Sequence, residues 1–247
     1  MLREYTLFGY VDKVQIATDR IKNVVRDHPE LEVIVAFSGG KDSVVIKHLA
    51  FLAGVKFRSI YNVTGIDPPD LIRFIRVSHP DTEFSKHPAG TFFKLSMKKG
   101  FPMRRRRWCC EYLKERSPND CLTITGIRWE ESPRRKSQRK LLECNTLRMI
   151  LNPIIDWTCT DVWEFIRSEN LDYCNLYDAG FNRLGCMLCP FSSLTERKLV
   201  KLNYPKVYAN FERCFVRIYE NKLISNPIAV KRWSSGSEMF NWWVKCR

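Results

Sequence analysis

The 247 residues read as an α/β protein: an open, mostly parallel sheet with helices on both faces, followed by a helical C-terminal extension. Three observations predict this. Short β-branched runs alternate with segments whose apolar residues recur every three to four positions, the pattern of parallel strands joined by crossover helices. The first apolar run, LEVIVAF at 31–37, breaks at Ser38, Gly39 and Gly40 and resumes at once as a helix, which brings a loop to the carboxyl edge of a sheet. Beyond Asp156 the strand pattern stops and helical periodicity takes over.

Taken in order, apolar spacing predicts a helix near 11–27, a strand at 31–37, a helix at 42–53 and a strand at 55–61. The Pro-rich turn IDPPD opens a helix near 69–77, since Pro fits the first helical turn. A short strand at 82–86 precedes an amphipathic helix at 90–98, and 108–115 reads as another helix. CLTITGI, 121–127, is the next buried strand, and 146–155 contains the last. A helix over 160–168, capped by a Thr, carries Val162, Trp163 and Ile166 on one face. Residues 191–247 read as helices with Pro and Ser interruptions, so the expected division is 1–190, a nucleotide-binding domain that includes clustered cysteines, and 191–247, a helical extension. There is no internal repeat and no low-complexity segment.

A 45% hydrophobic content is enough for a real core. No apolar run approaches the ~20 residues that cross a bilayer, and the opening MLREYTLFGYVDK lacks the apolar stretch of a signal peptide. The expected setting is therefore cytoplasmic, with no membrane partner. Ten cysteines in a reducing compartment argue against a disulfide framework and for metal or redox chemistry where they cluster.

The loop at 38–43, SGGKDS, is a phosphate cradle in waiting. Two glycines let the backbone turn tightly with N–H groups inward, and the following helix aims its positive dipole end at the same place. Lys41 adds a point charge for phosphate oxygens, and Ser38 and Ser43 add hydroxyl donors. The spacing is not that of the eight-residue P-loop. The plainer alternative, an ordinary Gly turn, leaves the lysine and both serines unexplained.

Cys109 and Cys110 are adjacent, and Cys186 and Cys189 form a C-x-x-C pair in RLGCMLCPF. Four thiolates suit zinc or an iron–sulfur cluster. Neighbouring side chains diverge and rarely reach one small ion, whereas a cluster offers separated iron corners, so a cluster is favoured. Cys121, Cys144, Cys159, Cys174 and Cys214 sit singly and read as structural.

With SGGKDS at 38–43, VTGIDPPD at 63–70, TGIRWEES at 125–132 and NPIIDWTCTDVWEFI at 152–166 running into LYDAGFNRLGCMLCP at 176–190, the chain resembles the phosphoadenosine and adenosine phosphosulfate reductase family. That family has an adenine-nucleotide α-hydrolase fold, and SGGKDS resembles the PP-loop of ATP pyrophosphatases, which cut ATP between its α and β phosphates. The resemblance implies nucleotide contacts at Ser38, Gly39, Gly40, Lys41, Asp42, Ser43, Thr64, Gly65 and Gly126. It implies a 4Fe-4S cluster on Cys109, Cys110, Cys186 and Cys189, as in the branch with a tandem pair and a basic residue four positions on, here Lys114. It also places Arg128, Glu131 and Ser132 at the adenylate or its acceptor, while Asp42 helps hold Mg2+.

Two departures redirect the expectation. Reductases of the family use preformed adenylyl sulfate and generally lack the loop lysine, yet this chain keeps Lys41 and so resembles relatives that consume ATP, such as tRNA-thiolating enzymes. The reductases also carry a catalytic cysteine in a Glu-Cys-Gly-Leu-His tail, whereas this chain ends FNWWVKCR with Cys246 in a different setting. The net charge of +14 exceeds what a nucleotide requires. Much of it lies in Arg104, Arg105, Arg106 and Arg107 and in Arg134, Arg135 and Lys136, a candidate track for RNA or DNA on which Trp108 or Trp129 would stack a base.

The leading expectation is thus ATP-dependent adenylation with Mg2+ and sulfur transfer to nucleic acid, with a cysteine desulfurase as the matching partner. Second is an adenylyl sulfate reductase served by thioredoxin, and third a non-catalytic nucleotide and cluster sensor. The motifs do not encode an oligomeric state, a homodimer included.

Overall fold

In the computed structural model, which describes residues 2–7, 9–145 and 148–245, the elements run as follows. The first half holds β1 (Arg3–Thr6), β2 (Gly9–Asp12), α1 (Lys13–Asp27), β3 (Glu32–Ala36), α2 (Lys41–Leu52), β4 (Arg58–Val63), α3 (Pro69–Ser78), β5 (Glu83–Lys86) and α4 (Phe92–Lys99). After a π-turn at Cys110–Lys114 come β6 (Cys121–Ile124), α5 (Pro133–Gln138), β7 (Leu142–Asn145), β8 (Arg148–Leu151) and α6 (Cys159–Ser168). The C-terminal region holds α7 (Leu194–Asn203), α8 (Pro205–Ile218), α9 (Pro227–Arg232) and α10 (Gly236–Lys245).

The central sheet has the order β5-β4-β3-β6-β8-β7. β3 pairs in parallel with β4 and β6, and β6 in parallel with β8, as crossover helices require. β7 pairs antiparallel with β8, so the sheet is mixed at that edge. Two elements were not expected from the sequence: β7, and the hairpin β1–β2 in which Tyr5 faces Tyr10 across the strands. Both are four-residue strands whose polar content hides the period-2 signal. The stretch expected as a helix at 108–115 is helical over 108–114, with Cys110–Lys114 wound as a π-turn, and α6 begins at Cys159 with Thr158 as its cap.

The chain packs as two compact units. The first comprises residues 1–62, 69–85 and 117–184. Its core joins Val33, Val35, Leu122, Ile124 and Leu151 of the sheet to Ile21 of α1, Val45 and Leu49 of α2, and Val162 and Phe165 of α6. The carboxyl ends of β3 and β6, the two central strands, meet at the start of α2, and that is where the loop lies.

The second unit comprises 63–68, 86–116 and 185–247. Its core is aromatic: Phe92 stacks on Trp108, Phe101 on Phe215, and Phe211 on Trp243. Each such side chain brings a large apolar area, which lets a small unit close without a sheet. Trp243 Nε1 donates to Pro102 O at 2.9 Å and Trp108 Nε1 to Gly100 O at 3.0 Å, so both buried indoles satisfy their one donor. No helix of the described residues is long and apolar enough to cross a membrane.

Candidate functional site

In the first unit the loop is built as the sequence spacing requires. Gly39 has φ +73°, and a Cβ there would lie 2.7 Å from Leu71 Cδ1 and 2.8 Å from Ile75 Cγ1, so only glycine fits between β3 and α3. Ser43 Oγ donates to Gly40 O at 2.7 Å, and Gly40 N donates to Ser38 Oγ at 3.4 Å, which ties the turn to the first turn of α2. Ser38 and Ser43 hydroxyls lie 3.3 Å apart. Gly126 lets the end of β6 approach α2: a Cβ there would sit 3.0 Å from the Asp42 backbone.

Around the loop the charges are paired. Arg128 is 3% exposed and donates from Nε to Asp42 Oδ1 at 2.7 Å, and from Nη1 to Glu130 Oε2 at 2.8 Å and Trp157 O at 3.2 Å. Burial opposes its charge, but Asp42 and Glu130 outweigh burial and raise its pKa, so it stays a cation. Lys41 is buried, with Nζ 3.4 Å from Asp42 Oδ2. Both Asp42 oxygens face cations, Lys41 and Arg128. The Glu131 carboxylate accepts from Arg128 N at 3.1 Å and from the Arg135 guanidinium, which makes it a brace for the 129–131 turn. Ser132 Oγ caps α5 by accepting from Arg135 N at 3.2 Å.

Tyr177, to which the sequence reading gave no role, belongs to this site. Its hydroxyl accepts a hydrogen bond from Lys41 N at 2.8 Å. Burial pushes its pKa up, so the phenol is neutral. Its signal lay inside the LYDAGF stretch, where a buried aromatic reads as core. Glu130 was passed over in favour of its neighbour Glu131, since nothing in WEE says which carboxylate faces inward.

In the second unit the four cysteines are partly buried and come from two distant stretches. Cys109 and Cys110 share a hydrogen bond that raises Cys109 and lowers Cys110, and burial pushes Cys186 up. Cys109 also senses Cys186 and Cys189, so all four thiols lie within one electrostatic neighbourhood. Among the described residues no three His, Cys, Asp or Glu side chains converge to metal-holding distance. The donor chemistry nevertheless fits an iron–sulfur cluster, because four thiols share the neighbourhood while Lys114 and Arg107 favour the thiolate of Cys110.

The loop that bears the C-x-x-C is clamped. Arg197 is 3% exposed and donates to Pro190 O at 2.9 Å, Cys189 O at 3.4 Å and Val244 O at 2.5 Å. Arg104 Nε donates to Pro190 O at 2.8 Å, and the guanidinium groups of Arg104 and Arg107 lie 5.7 and 4.9 Å from the Phe191 ring centre. Met187 N donates to Ile66 O at 2.8 Å, so Thr64 and Gly65, expected at the nucleotide, lie in the unit of the cysteines. Thr64 Oγ1 donates to Asp67 Oδ2 at 2.5 Å and accepts from Ile66 N at 3.2 Å.

Arg104–Arg107 are exposed as a solvated basic turn, closed by reciprocal backbone bonds between Met103 and Arg106. Arg134 and Lys136 are exposed on α5 of the first unit, and Arg135 is partly buried there. Trp108 is 6% exposed and stacked on Phe92, which corrects the expectation that it stacks a base. Trp129 is partly buried and donates from Nε1 to Arg139 O at 2.9 Å. Cys246 lies outside the described residues.

Comparison with known proteins agrees with this geometry. A protein of Methanocaldococcus jannaschii is 30% identical over 216 residues, covering 80% of this chain and 52% of that one. The chain spans about half the length of its Methanocaldococcus relatives. An adenosine 5'-phosphosulfate reductase of Geobacillus kaustophilus is 28% identical over 170 residues, 64% of this chain and 72% of that enzyme. The fold is that of the phosphate complex of phosphoadenylyl-sulfate reductase from Candida auris, which superposes with a TM-score of 0.50 at 16% identity over 69% of this chain and 87% of that one. The family model for the phosphoadenosine phosphosulfate reductase domain matches residues 32–192. That span opens on the strand before the loop and closes just past the second cysteine pair, so it takes in both sites, and the chain belongs to the phosphoadenosine phosphosulfate reductase family.

Proposed function

We propose that the chain is a cytoplasmic PP-loop ATP pyrophosphatase that adenylates a substrate and supports sulfur transfer to it, with nucleic acid as the acceptor. The observation that carries this reading is the complete loop with its lysine: Lys41 is buried beside Asp42, at the start of α2, with Arg128 held against the same carboxylate. A desolvated cation pair at a helix N-terminus suits the charge of a leaving pyrophosphate far better than it suits a neutral turn.

In that reaction an acceptor oxygen attacks the α-phosphorus of ATP, the bond between that phosphorus and the bridging oxygen to the β phosphate breaks, and pyrophosphate leaves. Loop amides and Lys41 bind the polyphosphate, and Arg128 stabilises the charge that develops as the bond breaks. Asp42 and Glu130 keep Arg128 aimed. Mg2+ enters with the nucleotide. A sulfur nucleophile then displaces AMP from the activated acceptor. Cys109, Cys110, Cys186 and Cys189 would hold the 4Fe-4S cluster, one thiolate to each iron, and the cluster when bound would fix the local electrostatics. The exposed arginines at 104–107 and 134, with Lys136, support a polyanionic acceptor.

A second reading, an adenylyl sulfate reductase, is favoured by the named activity of the Geobacillus relative. The two are separated by assaying anaerobically purified protein with ATP labelled at the α phosphate, and in parallel with adenylyl sulfate and thioredoxin. Release of AMP and pyrophosphate that depends on added RNA or DNA supports the first. Sulfite from adenylyl sulfate with no ATP turnover establishes the second.

A further inference from the structure

The backbone N–H of the first residue of a helix has no partner within the helix and points toward whatever lies at its start. In α2 that residue is Lys41, and in a phosphate loop its amide belongs to the phosphate. Here it is already taken. The Tyr177 hydroxyl sits 2.8 Å from Lys41 N, and it lies 3.4 Å from where a side chain on Gly40 would begin, inside the cradle rather than at its rim.

Two features argue against a mere helix cap. Gly40 supplies no side-chain cap, so the amide would ordinarily be left for a ligand, and the oxygen that fills it comes from 136 residues away. Tyr177 also rides on a segment without helix or strand, residues 169–193, in which Asn170 at φ +50° and Gly180 at φ +89° mark left-handed turns on either side. The ring is held from behind, edge-on to Trp163 at 5.1 Å between centroids, and the Lys41 ammonium lies 5.6 Å from its centre.

We propose that Tyr177 is a built-in occupant of the phosphate loop, displaced when an oxygen of a polyphosphate takes the Lys41 N–H, so that the segment around residue 177 registers whether the loop is filled. This rests on the reading above that the loop binds the pyrophosphate portion of ATP. One N–H serves one in-line acceptor well, so the ligand breaks the tyrosine bond before making its own, and affinity is lowered by about one net hydrogen bond. Removing the hydroxyl removes the competitor.

The test is calorimetric titration of wild type and Tyr177→Phe with inorganic pyrophosphate, ATP and AMP. The expected result is pyrophosphate and ATP binding tighter in the variant by roughly 3- to 10-fold, the equivalent of one net hydrogen bond, with AMP changed by less than about twofold. Unchanged or weaker pyrophosphate binding in a folded variant overturns the proposal, as does a gain for AMP equal to that for ATP. If wild type binds neither pyrophosphate nor ATP, the phosphate-loop reading itself has failed, and this proposal with it. Should the variant not fold, 3-fluorotyrosine placed at 177 in the otherwise wild-type chain reports the same event. Its fluorine resonance should shift with pyrophosphate and not with AMP, and a resonance indifferent to saturating pyrophosphate overturns the displacement.

Discussion

The 38–43 loop and the cysteine site are built by opposite means. The loop takes most of its parts from six consecutive residues, and its shape follows from two glycines and a helix start. The cysteine site draws on stretches that begin at residues 64, 104 and 186, and its shape is set by arginines that bind carbonyl oxygens from different parts of the chain. A locally encoded site tolerates damage elsewhere in the fold. One assembled from distant segments fails when any of them is released.

The sharpest way to separate the two is Lys41→Ala, which should reduce formation of AMP and pyrophosphate by at least ~100-fold while leaving iron content and visible absorbance as in wild type. Loss of the absorbance together with the activity would show that the sites are not independent. The reciprocal change, Cys186→Ala, should take a protein that is brown and carries about four irons per chain to one with almost none. It should also render residues 185–245 sensitive to protease, with pyrophosphate binding retained. Stoichiometric zinc in the anaerobically purified wild type would remove the cluster from the comparison altogether.

Smaller effects test the construction. Gly39→Ala forces a side chain into Leu71 and Ile75 at φ +73° and should destabilise the first unit by about 2–4 kcal/mol in denaturant unfolding, more than any single exposed arginine could. Neutralising Arg104–Arg107 together should flatten the salt dependence of duplex DNA binding by up to ~0.9 per lost phosphate contact, with ATP affinity unchanged. Equal binding across a salt series would leave those arginines with only their contacts to Pro190 and Phe191.

The smallest effect is one of pH. Burial, helped by the nearby Lys47, lowers His79 to about 4 from 6.5, with Asp81 and Asp172 opposing. Between those values the unfolded chain binds a proton that the folded one refuses, so stability falls as pH drops from 6.5 toward 4 and is unaffected by this group above 6.5. After allowance for partial exposure the loss is on the order of 1–2 kcal/mol, and His79→Gln should remove it from the pH dependence of the melting temperature.

What could be read from the sequence follows the same contrast. The strand, loop and α2 were legible because Ser38 to Ser43 fix their own geometry, and Thr158 caps α6 by a local rule one residue removed from the span expected. The cysteines were legible as ligands by type and spacing, but Arg197 was not, since a single Arg in a helix carries no sign that it is buried against carbonyls of residues 189, 190 and 244. Tyr177 was missed for the same reason, since what it does is decided by a partner 136 residues away. Thr64 and Gly65 were read from their place after β4, and nothing in that place told that they pack in the unit of the cysteines.

The patchwork of the second unit has a consequence for biosynthesis. Its members emerge from the ribosome in three instalments, residues 63–68, then 86–116, then 185–247. At 5–20 residues per second, Cys109 and Cys110 wait on the order of 10 s before Cys186 follows them, and Arg197 comes later still. During that interval the first unit can finish its sheet while the tandem thiols stand without their partners. Under the cluster proposal, metal delivery would be a late event in synthesis, after an interval in which the nascent chain carries two adjacent sulfurs open to oxidation.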